Sequence, residues 1–249
     1  LQSLQNHFNF TPPQKHGYDV VESIKAMYDG KAKVFIAMGG NFLSATPDTG
    51  FTAAALQKCN LTVHVSTKLN RSHLVHGQEA LILPCLGRSD MDMLGGEAQF
   101  VSCENSMGVV QQSKGNLKPV STKMLSEPVI ICRLAKETFG SGSKINWDKY
   151  LQHFDSIRED IERTIPGFEN YNDRVRKPGG FYLPNCNRDG SFDTETKKAQ
   201  FNIATFSPTI LKDDELLMMT IRSHDQFNTT IYGLDDRYRG IFNERRVVL

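Results

Sequence analysis

The sequence lacks the marks of several protein classes. It contains no run of about eighteen apolar residues that could span a bilayer, and no signal peptide is recognisable. The formal net charge is only +1, and lysines and arginines are spread along the chain instead of forming one basic patch. These features argue against a membrane span and against nucleic acid as the main partner.

Cysteine is also scarce, with five residues among 249 and none in a Cys-x-x-Cys pair. An odd number of widely spaced cysteines suits neither a disulfide framework nor a zinc site, which normally shows paired ligands. We therefore interpret all five as reduced core residues of a cytoplasmic protein: Cys59, Cys85, Cys103, Cys132 and Cys186.

The histidines predict no metal site either. No carboxylate lies at a convincing ligand spacing from His64, His73 or His76. Strand alternation should also turn His64 away from the loop that follows its strand. We assign no metal ligand.

The chain is long enough for one large or two ordinary domains, and 39% of its residues are apolar, so it can bury a core. It begins at Leu1 and ends in the strand-like residues 246–249. We therefore expect both ends to be cut from a longer protein.

The first half of the chain alternates helical and strand patterns. Apolar residues recur at helical spacing over residues 18–29, and Gly30 is suited to end that helix. A second helix is expected to start near Thr46-Pro47. Apolar runs typical of buried strands lie at residues 34–38, 61–65 and 80–83. This order predicts the α/β class with a Rossmann-like parallel sheet.

In such a sheet, ligands bind beyond the carboxyl ends of the strands. After the first strand, Gly39 and Gly40 allow a ligand to approach the backbone and Asn41 offers an amide, although a plain glycine turn has the same pattern. After the second strand, residues 66–73 concentrate hydroxyls, an amide and two cations. That composition indicates phosphate or ribose binding. After the third strand, residues 84–88 have a structural interpretation, as does the polar turn at 104–108.

The second half predicts different elements. A packing helix should run from a cap at Asn146 to Pro166-Gly167, with the charged face at 158–163 in solvent. Residues 166–199 are expected to form a linker or surface crossing. Strand-like segments at 199–206 and 215–221 would then open a β-rich unit over residues 200–249. The hydrogen-bonding side chains of residues 222–240 suggest a polar ligand.

Five segments in this order resemble a known family: residues 38–42, 65–73, 82–88, 104–110 and 222–240. Together they are similar to the C-terminal half of molybdopterin-dependent oxidoreductases, in the formate dehydrogenase α-subunit-like branch of the DMSO reductase family. The resemblance implies a Rossmann-like dinucleotide-binding domain at residues 1–165 and the start of a double-psi β-barrel at residues 200–249. It also implies a molybdenum bis(molybdopterin guanine dinucleotide) cofactor and a 4Fe-4S cluster held by an earlier part of the protein.

The resemblance also assigns binding residues. Its implied contacts to the dinucleotide, its guanosine or its phosphates are Gly39, Gly40, Asn41, Ser66, Thr67, Asn70 and Arg71. Its implied contacts to the pterin or pyrophosphate are Arg222, Ser223, Gln226 and Asn228. No catalytic residue or molybdenum ligand is assigned, because the matching positions of the family lie in an earlier domain.

The implied activity is two-electron transfer between a small substrate, formate or similar, and the cluster, with a possible electron-transfer partner protein. The 249 residues alone should be inactive. An alternative remains open, because a fold does not fix a function. The chain would then be a non-enzymatic nucleotide-binding or interaction module.

Overall fold

The computed structural model describes residues 1–219, 226–227, 230–231, 235–236 and 239–243. The helix predicted at 18–29 and the three predicted strands are confirmed, which establishes the α/β class. The elements up to the end of the third strand are α1 (Gln2–Phe8), α2 (Val20–Tyr28), β1 (Val34–Met38), α3 (Phe42–Ala45), α4 (Thr49–Leu56), β2 (Leu61–Ser66) and β3 (Glu79–Pro84), with a 3-10 turn at Arg71–Leu74.

Local sequence sets the ends of α2. The Asp19 carboxylate accepts a hydrogen bond from the backbone N–H of Glu22 at 2.7 Å, and the Glu22 side chain accepts one from the N–H of Asp19. This reciprocal capping satisfies N–H groups that have no partner inside the helix. After the helix, Gly30 has a φ of 71°, a backbone conformation that favours glycine. The turn leads directly into β1.

A helix does begin near Thr46-Pro47, as predicted, but Thr46 is not its cap. Thr46 ends the short helix α3, and Asp48 caps α4 by accepting a hydrogen bond from Phe51 N at 2.8 Å. A carboxylate is a stronger cap than a threonine hydroxyl. The Thr46 hydroxyl instead lies 2.7 Å from the hydroxyl of Thr52 inside the protein. The hydroxyl of Thr46, the predicted cap, thus pairs with another buried hydroxyl, a contact that local sequence patterns do not reveal.

The three strands form one parallel sheet in the order β1-β2-β3. Its register aligns Phe35 with Thr62 and Ala37 with His64, so these residues share one face. Apolar residues of α2, α3 and α4 pack against Phe35 on that face. The core cluster comprises Ile24, Met27, Leu43, Ala55, Leu56 and Cys59.

A second group of elements follows β3. Its strands β6 (Val101–Glu104), β7 (Val109–Ser113) and β8 (Phe181–Tyr182) form an antiparallel sheet, and its core contains Phe100, Val110, Tyr171, Val175 and Phe181. The elements are β4 (Met93–Leu94), β5 (Glu97–Ala98), β6 (Val101–Glu104), β7 (Val109–Ser113), α5 (Glu127–Phe139), α6 (Trp147–Gln152), α7 (Asp155–Thr164), α8 (Tyr171–Val175), β8 (Phe181–Tyr182) and α9 (Cys186–Asp189), with a 3-10 turn at Gly140–Gly142.

The turn between β6 and β7 has the structural role that was expected of it. The Asn105 side-chain oxygen accepts hydrogen bonds from the N–H groups of Met107 and Val109 at 2.9 and 3.2 Å. An asparagine in a turn commonly satisfies nearby backbone in this way. No ligand is needed to explain this segment.

The prediction of a single helix from Asn146 to Pro166 is wrong, because the segment forms two helices. Asn146 caps α6 as predicted, but the backbone turns extended at His153 and α7 begins after Phe154. The N–H of Phe154 donates to the side-chain oxygen of Gln99 at 3.0 Å. This contact spans 55 residues, and it replaces the hydrogen bond that a continuous helix would have made there.

The prediction that the charged face at residues 158–163 lies in solvent is wrong for Arg158. This arginine is buried over the Phe100 ring, with its guanidinium carbon 3.9 Å from the ring centroid. It donates to the Phe100 carbonyl at 3.0 Å, to Asn172 Oδ1 at 2.7 Å and to the carboxylate of Asp155. Burial raises the pKa of Asp155, but hydrogen bonds from Arg158 and Arg176 outweigh it and lower that pKa overall.

The segment assigned to a linker is folded over part of its length. It contains α8 and β8, and Tyr171, Val175 and Phe181 are buried there. The domain boundaries themselves stay a prediction.

The strands expected at 199–206 and from 215 to 219 are absent, since the structure contains neither helix nor strand between 190 and 219. A strand needs a neighbour for its backbone hydrogen bonds, and no described segment pairs with these residues. Further along, β9 (Gln226–Phe227) pairs antiparallel with β10 (Thr230–Ile231). The double-psi β-barrel remains a prediction.

The cysteines fit the core interpretation only in part. Cys59, Cys85 and Cys132 are buried, Cys103 is half-buried and Cys186 is exposed, and all five are free thiols. The core assignment of Cys186 is therefore wrong. It lies in the first turn of the short helix α9, at the surface.

Candidate functional site

The two loops predicted to bind a ligand meet at the carboxyl edge of the parallel sheet. The Asn70 side-chain amide, after β2, donates to the carbonyl of Gly40, after β1, at 2.7 Å. The N–H of Gly39 donates to the carbonyl of Val65 at 2.8 Å. The parallel pairing of β1 and β2 brings both strand ends to the same edge, as expected for a ligand site in this type of sheet.

Ser72, from a buried position, joins the same two loops. Its side chain is buried, its hydroxyl donates to Asn41 Oδ1 at 2.9 Å, and its oxygen accepts a hydrogen bond from the N–H of Leu43 at 3.0 Å. Sequence reasoning included Ser72 in the polar run but did not select it. No local signal separates it from the neighbouring hydroxyls, because its partners lie about thirty residues away.

The glycine turn leaves open space beside its backbone. Gly39 and Gly40 have φ angles of 67° and 72°, which side-chain-bearing residues rarely adopt. A Cβ placed on Gly40 would meet no atom within 4 Å. Among the described residues, the N–H groups of Gly40 and Asn41 donate to no protein acceptor. Two consecutive unpaired N–H groups at an open turn suit an anion.

The loop after β2 separates residues that shape it from residues that face solvent. The Ser66 hydroxyl donates to the carbonyl of Lys68 at 2.7 Å, and Asn70 Oδ1 accepts a hydrogen bond from Ser72 N at 2.9 Å. Thr67, Lys68 and Arg71 are exposed. Ser66 and Asn70 thus use their polar groups within the protein, whereas Thr67, Lys68 and Arg71 present a hydroxyl and two cations outward.

His64 and His73 are both buried, and their rings contact each other beneath this loop at an angle of 41°. Their ring centroids lie 4.9 Å apart, and each Nε2 is buried without a partner in the described part of the chain. The expectation that His64 lies away from the loop is wrong, because the 3-10 turn folds back over the face to which His64 points. Burial and the neighbouring charge of His73 lower the pKa of His64.

A small pocket of about 60 Å³ adjoins the site, between the end of β3, the β6–β7 hairpin and the start of α5. Asp92, Ser126 and Glu127 line it, and Asp92 Oδ2 and Ser126 Oγ are buried without hydrogen-bond partners among the described residues. Burial raises the pKa of Asp92. Glu127 connects the pocket to the glycine turn, since its Oε1 lies 3.8 Å from the place of a Cβ on Gly39.

Sequence reasoning missed this acidic pocket. Asp92 and Glu127 are 35 residues apart in the chain, and each belongs to a segment without a recognisable motif. The segment before α5 joins the end of β3 through the bridge between Leu125 and Cys85 and the hydrogen bond from Leu86 N to the Leu125 carbonyl, and this long-range pairing brings the two carboxylates together.

The second set of predicted contacts is largely outside the described residues. Arg222, Ser223 and Asn228 all lie there. Gln226 belongs to β9, where its backbone pairs with Ile231. The assignment of these four residues to the pterin or pyrophosphate stays a prediction.

None of the described helices has the length and apolar character needed to cross a membrane. No group of three or more His, Cys, Asp or Glu side chains in the described ranges is arranged to hold a metal ion.

No protein-family model matches the chain. The chain is nevertheless 52% identical, over all 249 residues, to a protein of Mycobacterium tuberculosis named an uncharacterized oxidoreductase, of which it covers 32%. A Mycobacterium bovis protein named in the same way shows the same identity and coverage. The chain is 42% identical over 251 aligned residues to protein YdeP of Escherichia coli, of which it covers 33%. The chain thus spans about a third of the length of the curated relatives that it matches.

Proposed function

We propose that this chain is the cofactor-binding part of an oxidoreductase of the molybdopterin-dependent, formate dehydrogenase-like type. The loops after β1 and β2 would bind the guanine dinucleotide part of the cofactor. The observation that carries the proposal is the junction of these loops by Asn70 and Ser72 at the carboxyl edge of a parallel sheet. Relatives named as oxidoreductases, similar over the whole chain, support the redox class.

The residues at the junction fit an anionic dinucleotide. Lys68 and Arg71 supply positive charge, and the open turn supplies the unpaired N–H groups of Gly40 and Asn41. Gly39 and Gly40 would let the ligand lie against the backbone, and Thr67 would add a hydroxyl. Ser66 and Asn70 would contribute by fixing the loop geometry through the hydrogen bonds that they already make.

The charge distribution suggests an orientation for the ligand. Glu127 and Asp92 would repel phosphate, but carboxylates accept hydrogen bonds from ring N–H and amino groups such as those of guanine. The base would therefore lie toward the acidic pocket, and the phosphates toward Gly40 and Arg71. Arg222, Ser223, Gln226 and Asn228 would contact the pterin or pyrophosphate.

When bound, the cofactor supplies two-electron redox chemistry with a small substrate, formate or similar. The residues of this chain would bind and orient it. A 4Fe-4S cluster, the molybdenum ligand and contacts to an electron-transfer partner protein would come from other parts of a longer protein, and the proposed location is the cytoplasm. The 249 residues alone would be inactive.

Replacing Arg71 with alanine in the full-length protein tests the phosphate assignment. Loss of a hydrogen bond to a charged group costs about 1.5–3 kcal/mol, which corresponds to roughly a tenfold to 100-fold loss of affinity. We expect Arg71→Ala to lower both the molybdenum content and the guanine nucleotide released on hydrolysis of the purified protein.

Arg133→Ala is the matched control, because it removes the same charge from an exposed position on α5. Equal cofactor contents in the two variants would contradict the assignment. Guanine nucleotide without molybdenum in the wild-type protein would instead favour the non-enzymatic nucleotide-binding module.

A further inference from the structure

One face of the parallel sheet is apolar and open. The register places three rows of side chains on the face opposite α2–α4: Val34-Leu61-Glu79, Ile36-Val63-Leu81 and Met38-Val65-Leu83. Val65 is buried in the last row, but Val34, Ile36, Leu81 and Leu83 remain 54%, 49%, 49% and 39% exposed. Apolar side chains thus face solvent from the outer strands of the sheet.

This face is open because α2, α3 and α4, which precede or connect β1 and β2, all pack on the opposite face. Residues of α2, α3 and α4 form one cluster on the opposite face, against Phe35. Parallel sheets are normally covered on both faces, and their strands are apolar on both sides for that reason. The residues of β1, β2 and β3 have this two-sided apolar character, whereas the described residues cover only one side of β1 and β2, and Ile82 of β3 is 46% exposed on that covered side as well.

The open surface continues past β1. A groove of about 330 Å³ runs beside this strand, and its walls include Tyr18, Val20, Val34 and Ile36. Tyr18 and Val20 are both more than half exposed. Asp19 and Ser23 also line the groove, but most of its lining is apolar, and a large exposed apolar patch marks an interaction site.

We infer that this open sheet face, Val34, Ile36, Leu81 and Leu83, is an interface with a part of the longer polypeptide outside these 249 residues. The relatives support this occupant, because they match the whole chain and yet carry about two thirds of their length outside it. Glu79 is the one charged side chain in the three rows and lies at one end. The covering segment is therefore apolar over its central part, as the buried stripe of a helix is. The inference is independent of the bound cofactor.

Cysteine labelling in two protein lengths tests the interface. Leu81→Cys would be made in the 249-residue chain and in the full-length gene product, and its alkylation rate measured by peptide-resolved mass spectrometry. Val120→Cys, at a residue that is 93% exposed in a loop, is the control. We expect Leu81→Cys to react at least about tenfold more slowly in the full-length protein than in the short chain, because the covering segment excludes the reagent. Val120→Cys should react equally in both.

Three results would overturn the inference. The first is an equal Leu81→Cys rate in the two proteins. The second is a full-length product with no residues beyond these 249. The third is protection of Leu81→Cys that appears in the short chain and rises with its concentration, together with a dimer in sedimentation, since the occupant would then be a second copy. Ile36→Cys, in the same row as Leu81, should repeat the result and guards against a local effect at β3.

Discussion

Ser72→Ala should destabilise the protein much more than its single lost oxygen suggests. The Ser72 hydroxyl accepts from the N–H of Leu43 at 3.0 Å and donates to Asn41 Oδ1 at 2.9 Å. Both Ser72 and Leu43 are 2% exposed, so water cannot replace the hydroxyl at the Leu43 N–H. A buried donor left unsatisfied costs about 1–3 kcal/mol.

Asn41 adds a smaller contribution. It is half-buried, so water can partly replace the lost bond, and the net cost is about 0.5–1 kcal/mol. The sum is a loss of roughly 1.5–4 kcal/mol in the free energy of unfolding. The assay is urea unfolding of the 249-residue chain, with the midpoint and slope compared between variants.

Ser66→Ala is the matched control. Its hydroxyl also donates to one acceptor, the carbonyl of Lys68, but this loop is open to water. We expect a loss of only about 0.5 kcal/mol there. If the two alanine variants lost equal stability, Ser72 would not join the loops in the way that its contacts indicate.

Two further predictions concern buried groups. Burial and the charge of His73 lower the pKa of His64 in the folded state, so below the unfolded value of about 6.5 the unfolded chain binds a proton that the folded chain does not. This contribution to stability is complete above about pH 6.5 and is lost as the pH falls below it, with a slope of at most about 1.4 kcal/mol per pH unit. His64→Phe should therefore lose less stability than the wild type between about pH 7 and pH 5.5, as measured by urea midpoints. The control is His76→Gln, at an exposed position, which should lose as much stability as the wild type. Equal losses in the two variants would contradict the burial argument. Arg158→Ala should lower the free energy of unfolding by about 3 kcal/mol in the same assay, because it leaves the buried Phe100 carbonyl without its donor. Arg163→Ala, on the exposed side of α7, should lower it by less than about 0.5 kcal/mol. Similar losses in the two variants would show that the buried contacts of Arg158 do not stabilise the protein.

The sheet and its loops were predictable because their signals are local. Short apolar runs identify β1, β2 and β3, and the Gly-Gly pair at residues 39 and 40 is a local signal for a turn. Parallel strands then bring successive strand ends to one edge, so the meeting of residues 39–41 with residues 66–71 followed from topology.

The remaining features depend on contacts between distant residues. The helical period continues through His153, but Gln99 takes the N–H of Phe154 and a new helix begins. Arg158 has the composition of a surface residue, and only Phe100, Asp155 and Asn172 explain its burial. Residues 199–206 have the alternation of a strand, yet alternation alone provides no neighbouring strand for hydrogen bonds. The acidic pocket of Asp92 and Glu127 arises in the same way from packing.

We propose that this chain helps to bind a molybdenum guanine dinucleotide cofactor. The most direct test of this proposal is the metal and nucleotide content of the wild-type full-length protein, purified from molybdate-sufficient cells. We expect molybdenum by elemental analysis together with guanine nucleotide released by mild acid, in a ratio of about one to two for a bis(dinucleotide) cofactor. Protein that contains neither molybdenum nor releasable guanine nucleotide would contradict the proposal.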